Sequence, residues 1–150
     1  MAWVNEKGTK EVTIYNINKT QDFHLLQSNI EDYITTDIAN DTSAVIGKQN
    51  IGNYTVVFKK SDQPFGDSIH TLFYYNDQLY DYQNFKGDLN FSYEHLIDSI
   101  EVIEDANTYK VYWTDGLNSP RMIDLDRYYA DDMTTVNTDI FDFKKEITSD

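Results

Sequence analysis

Apolar and polar positions alternate in several stretches of this 150-residue chain, the two-residue period of strands with one buried face. Lys10 to Tyr15 sets Val12 and Ile14 on one face and predicts a first strand, while the polar stretch Asn16 to Asp22 reads as a turn. Between Ser28 and Asn40 the period changes, because Ile30, Tyr33, Ile34 and Ile38 fall at i, i+3, i+4 and i+8. Ser28 or Asn29 is placed to cap the start, with Glu31 and Asp32 favourably set in the first turn. That spacing predicts one short helix or a loop with a single helical turn.

Strand signals return at Ser43. Ala44-Val45-Ile46 closes at Gly47, and Tyr54 to Phe58 follows a Gly52-Asn53 turn, so the two are expected to form a hairpin. Ser61 to Asp67, with Pro64 and Gly66, is a loop. Ile69 to Tyr75 and Gln78 to Tyr82 flank a tight turn at Asn76-Asp77, and Asn84 to Asp88 is expected to interrupt the chain again. Ile97 to Glu104 puts Ile100 and Val102 on one face, Asp105 to Thr108 turns into Tyr109 to Thr114, and Arg121 to Leu125 gives a last strand. Residues 126–150 are acidic and weakly patterned. The pattern predicts a single β-rich domain over 1–150, mainly antiparallel, with at most one short helix, and a strand spacing that suits a β-propeller, barrel or sandwich.

Composition narrows the function classes. Aromatic residues make up 15% of the chain, whereas an acidic disordered segment would be poor in them. The 12 Lys and Arg face 26 Asp and Glu, a net charge of −14, so neither specific nucleic-acid binding nor attachment to an anionic membrane is expected. Cysteine is absent, which removes disulfide scaffolds, thiolate zinc sites and Cys nucleophiles. No apolar run is long enough to cross a membrane, and no secretory leader is expected.

Candidate chemistry is sparse. His24, His70 and His95 are far apart, Glu94-His95 lacks the second histidine of a zinc helix, and His70 is expected to be a half-exposed structural residue of a strand. Gly47 and Gly52 have the spacing of a phosphate loop, but Asn53-Tyr54 stand where Lys and Ser or Thr are needed, so both read as turn glycines. Asp124 and Asp126 share a face if that segment is a strand, and Asp131-Asp132 are adjacent. The loop after Asp124 lacks the glycine and closing glutamate of a calcium loop. A hydrolase working through paired carboxylates has no motif behind it. No catalytic residue, cofactor or metal ligand is assigned.

One segment stands apart. From Tyr109 to Leu125 a strand ends in Tyr112-Trp113, Asp115-Gly116 opens a turn, Pro120 limits a loop, and a strand returns through Met122 and Ile123. Asp115 can accept from main-chain N–H groups, Gly116 can take positive φ, and Arg121 can reach Asp115 or a carbonyl. Tyr112, Trp113, Asp115, Gly116, Asn118, Pro120 and Arg121 are thus expected to build a β corner, structural in role.

The tetrapeptide Tyr112-Trp113-Thr114-Asp115 is similar to the signature of low-density-lipoprotein-type receptor propellers, but occurs once. A longer set of blocks runs in order: Asn5-Glu6-Lys7-Gly8, Val45-Ile46-Gly47, Val56-Val57-Phe58, Leu89-Asn90-Phe91-Ser92, and Val111 through Arg121. In these blocks the chain resembles the N-terminal region of the tail-associated stabilization proteins (muzzle- or nozzle-like) of crAss-like and other Bacteroidetes phages. The likeness covers about residues 3–125, with Ser119 where a proline is usual and a weaker match from Asn18 to Ile38. Members of that family are much longer, which implies a fragment, a processed piece or a small relative.

The resemblance implies a structural virion protein of the phage tail, partnered by other tail proteins and assembled as a homomeric ring, sixfold by analogy, around the DNA exit channel. An acidic wall would repel DNA phosphates there. The competing class is a glycan- or receptor-binding β module whose 12 tyrosines and 2 tryptophans stack on sugars. The plainer role for those rings is to fill the core and the subunit interface.

Overall fold

The computed structural model describes residues 2–4, 11–14, 17–20, 23–26, 29–34, 43–105, 108–125, 127 and 129. Near the N-terminus, β1 (Ala2–Val4), β2 (Glu11–Ile14) and β3 (Ile17–Thr20) form an antiparallel sheet in the order β1-β2-β3. The expected strand is β2. The stretch Asn16 to Asp22 is not simply a turn, because Ile17 to Thr20 pairs with β2 in the register Ile14↔Ile17 to Glu11↔Thr20. Asn, Lys and Thr there conceal an edge strand, where polar residues are tolerated.

The main body is a five-stranded antiparallel sheet in the order β4-β8-β7-β6-β5. Its strands are β4 (Phe23–Leu26), β5 (Ser43–Ile51), β6 (Tyr54–Ser61), β7 (Asp67–Tyr75) and β8 (Gln78–Gly87). A smaller antiparallel sheet in the order β11-β10-β9 comprises β9 (Asp98–Asp105), β10 (Thr108–Thr114) and β11 (Arg121–Asp124). Every pairing is antiparallel and the only described helix is a turn, α1, at residues 30–34. Neither sheet closes into a barrel, and the two pack their apolar faces together as a sandwich-like body.

Strand alternation explains that packing. Tyr54, Val56 and Phe58 of β6, Ile69 and Phe73 of β7, and Tyr80, Tyr82 and Phe85 of β8 point inward. They meet Val111, Trp113 and Ile123 of the small sheet. Trp113 lies 5.0 Å from Phe58 between ring centroids. The opposite face of the large sheet carries a second apolar cluster, Val57, Leu72 and Leu79, covered by Ile30, Tyr33 and Ile34 of α1. Asn29 is the cap: its Oδ1 accepts from the Asp32 N–H at 2.8 Å and its carbonyl from the Tyr33 N–H at 2.9 Å. Ser28 and Ile38 lie outside the described residues.

Three expectations are corrected. Asn84 does not break its strand. It is the extra residue of a bulge, since Ile69 pairs with Phe85 and His70 with Gln83, and its Oδ1 accepts from the Thr71 hydroxyl at 2.7 Å. Gly47 is no turn glycine: β5 runs through it, with a bulge at Ile46 whose carbonyl accepts from Ile97 N–H at 2.9 Å. A Cβ at Gly47 would stand 2.4 Å from Ile97 Cβ, so the absent side chain is what admits that crossing. His70, expected half-exposed, is only 8% exposed. Gly52, by contrast, does occupy its hairpin turn, and Asn76 and Asp77 take φ of 51° and 63°, the mirror-image turn that suits strand twist. Asp126, Asp131 and Asp132 lie outside the described residues.

Candidate functional site

The corner between β10 and β11 brings together the seven signature residues. Asp115 follows the last residue of β10 and turns its carboxylate back into the loop. Oδ1 accepts from the N–H groups of Leu117 at 2.9 Å and Asn118 at 2.7 Å, and Oδ2 from Asn118 Nδ2 at 2.8 Å. Gly116 takes φ of 76°, which lets the chain fold over that carboxylate. Burial raises the Asp115 carboxyl, but the Asn118 and Leu117 donors and the nearby Arg121 outweigh it and hold the group below its ordinary value.

Arg121 is 3% exposed and donates from Nη1 to the Leu89 carbonyl at 2.7 Å. Its positive charge also favours the ionised Asp115 carboxylate. Trp113, 2% exposed, anchors the corner in the core, while Tyr112 points to the other side of the sheet and Pro120 stays exposed.

A residue the sequence does not advertise completes the frame. Asp67, 3% exposed, accepts from Ser61 N–H at 3.1 Å, Leu89 N–H at 3.2 Å and Phe91 N–H at 3.3 Å. Lys60 Nζ stands 3.6 Å away. One carboxylate thus ties the end of β6 to the segment that supports Arg121. An Asp at a strand start looks like any loop residue until the crossing segments are known.

Two further surfaces have chemical character. The outward face of the small sheet holds an apolar groove of about 500 Å³, lined by Ile100, Val102, Tyr112 and Pro120 among others. The outward face of the large sheet holds a hydrogen-bonded chain: His70 Nδ1 lies 2.9 Å from Asp81 Oδ1, and Nε2 lies 2.8 Å from Ser68 Oγ. Ser68 and His70, two apart on β7, share a face; Asp81 comes from β8. This Asp–His–Ser order is the order of a hydrolytic relay. β7, however, is hydrogen-bonded to β6 on one side and β8 on the other. Its main-chain N–H groups are therefore committed to ladders and do not form the paired donors that acyl transfer needs. His95 is elsewhere, its Nδ1 3.1 Å from Ser92 Oγ. Among the described residues no group of three or more His, Asp or Glu is placed to hold a metal, and no helix is long and apolar enough to cross a membrane.

The family model described as Crassvirus muzzle protein matches residues 1–150. Among curated proteins the chain is similar to the "Muzzle protein" of Bacteroides phage crAss001, with 34% identity over 139 residues, 93% of this chain. It spans 8% of that relative's length. The buried corner, the blocks that build it and a match running from end to end lead to one assignment: the chain belongs to the Crassvirus muzzle protein family.

Proposed function

We propose that this chain is a structural, protein-contacting module of a phage tail muzzle, repeated around the DNA exit channel as a homomeric ring with other tail proteins as neighbours. The family match over residues 1–150 carries the reading. The net charge of −14 supports it, because an acidic wall repels DNA phosphates and lets the genome pass. So does the small sheet, where Ile100 is 63% and Ile103 47% exposed on the edge strand β9. Apolar side chains on a strand that ends its sheet among the described residues are suited to protein contact.

The glycan-binding alternative loses Trp113, Tyr54 and Tyr82 as stacking rings, since they are buried in the core, and is left with exposed tyrosines such as Tyr74 and Tyr93. Turnover loses ground because the β7 main-chain N–H groups beside Ser68 are committed to the sheet ladders. Cross-linking mass spectrometry on purified phage particles, paired with duplex-DNA titration of the chain, tests the proposal. The expected result is links to copies of itself and to tail proteins, with no tight DNA binding. Absence from particles, or tight duplex binding that weakens with salt, would overturn it.

A further inference from the structure

Strand β9 ends the small sheet. Among the described residues it pairs with β10 alone, from Asp98↔Thr114 to Asp105↔Thr108. An edge strand turns every second N–H and C=O away from its neighbour, and those groups need water or another strand. β5 meets the start of β9: the Ile46 carbonyl accepts from the Ile97 N–H, and Ser99 Oγ donates to Gln49 Oε1 at 2.7 Å. From Ile100 to Asp105, every residue except Val102 is exposed.

Alternation sorts this stretch into two faces. Ile100 and Val102 lie on the outward face, where with Tyr112 and Pro120 they line the apolar groove. Glu101 and Ile103 lie on the other. The strands of the small sheet carry Asp98, Glu101, Glu104, Asp105 and Asp124 against Lys110 and Arg121. Neither cation neutralises the edge. Arg121 is buried and donates to the Leu89 carbonyl, and Lys110 Nζ is held by Glu104 at 3.1 Å. Lys48 of β5 stands opposite Val57, on the far face of the large sheet. The field along β9 is therefore negative. Acids at an edge discourage aggregation, but that role does not account for Ile100 and Ile103, which expose apolar surface on both faces.

We propose that β9 from Ile100 to Asp105 is a docking edge for an extended segment of another protein chain, one that alternates apolar and basic residues. Its apolar side chains lie beside Ile100 and Val102 and continue the groove face. Its lysines or arginines lie on the other face, where their charge meets Glu101 and their stems cover Ile103. Main-chain hydrogen bonds hold the added strand, and the alternating side chains select it. The inference rests on the reading of β9 as a contact edge and names its occupant. A second copy is a poorer occupant, because pairing β9 with β9 brings two acidic strands together. Salt separates the two cases: it screens the repulsion between copies, and it weakens the attraction of a basic segment.

The test is an NMR titration of the 150-residue chain at low ionic strength. The probes are a capped heptapeptide alternating valine and lysine, and the same peptide with glutamate in place of lysine. Saturable shifts at the amides of Ile100 to Glu104 are expected with the lysine peptide, which should bind about tenfold or more tighter than the glutamate peptide and weaken as salt rises. N-methylation of one alternate set of peptide amides should abolish binding and of the other set leave it, since one set alone faces β9. Glu101→Lys, at an exposed position, should weaken the lysine peptide about threefold or more and strengthen the glutamate peptide. Equal binding of both peptides, indifference to either N-methyl pattern, shifts confined to another edge, no saturable shift, or β9 shifts seen only on self-association at high salt would each overturn the proposal. Cross-links within phage particles do not depend on the peptide result, so this inference and the ring reading fail separately.

Discussion

Asn90 and Asn118 grip each other in both directions. Asn90 Nδ2 donates to Asn118 Oδ1 at 2.7 Å, and Asn118 Nδ2 donates to the Asn90 carbonyl at 3.0 Å. The clasp joins two segments 28 residues apart, each part of a sequence block that carries the family likeness. Asn90 reaches it with φ of 55°, a conformation that Asn tolerates better than most residues. Blocks separated in sequence are therefore one object in space, with Arg121 and Asp67 completing it from inside.

Trp113→Ala should cost about 3–5 kcal/mol, the range for deleting a large buried aromatic. The ring is 2% exposed and lies against Phe58, so its removal opens a hole where the two sheets meet. Urea denaturation measures it. A loss below about 1 kcal/mol would mean that the indole does not join the sheets.

The corner should be sensitive to acid. Because Asp115 is held below its ordinary value of 3.8, its contribution is complete above that value and is lost as pH falls through the lower folded value. Asp115→Asn removes this part of the dependence, so the stability gap between the two proteins should narrow between about pH 5 and pH 2. Thermal melts across that range give the answer. A constant gap would show that the carboxylate's charge contributes nothing at the corner.

Gly47→Ala should destabilise the chain by about 1–3 kcal/mol, as expected for overpacking. The new methyl meets Ile97 Cβ rather than a flexible tip. The double variant Gly47→Ala/Ile97→Ala should recover part of that loss. If the single variant melts like the parent, the β5 bulge is looser than its Ile46–Ile97 bond implies.

Self-association should strengthen modestly as salt rises. Copies carrying −14 each repel one another, and salt screens that repulsion within about 8–10 Å. Sedimentation velocity in rising sodium chloride checks the direction. Ile100→Asp on β9 should abolish association without unfolding the chain, since Ile100 is already 63% exposed.

The sequence made some of this legible and hid the rest for physical reasons. β6 and β7 stand out as near-continuous runs of β-branched and aromatic residues because both of their faces are buried, and Asn76-Asp77 has the chemistry of its turn. The corner was readable because its capping Asp, glycine and arginine are close in sequence. β8 looked shorter than it is because Asn84 is polar, and only the bulge gives that side chain a buried partner in Thr71. β1 and β4 were missed since strands of 3 and 4 residues offer too few positions for a period to show.

β7 also constrains how this molecule can change over time. Its odd-numbered residues Ile69, Thr71 and Phe73 face the sandwich, and its even-numbered Ser68, His70 and Leu72 face the opposite side. Inserting or deleting one residue in the strand would exchange the two sets at a stroke, driving His70 inward and Phe73 outward. Length changes here are therefore viable only in pairs, or when absorbed by a bulge such as the one at Asn84. The polar chemistry on one face and the apolar packing on the other are inherited as a single unit, so neither can drift along the strand without the other.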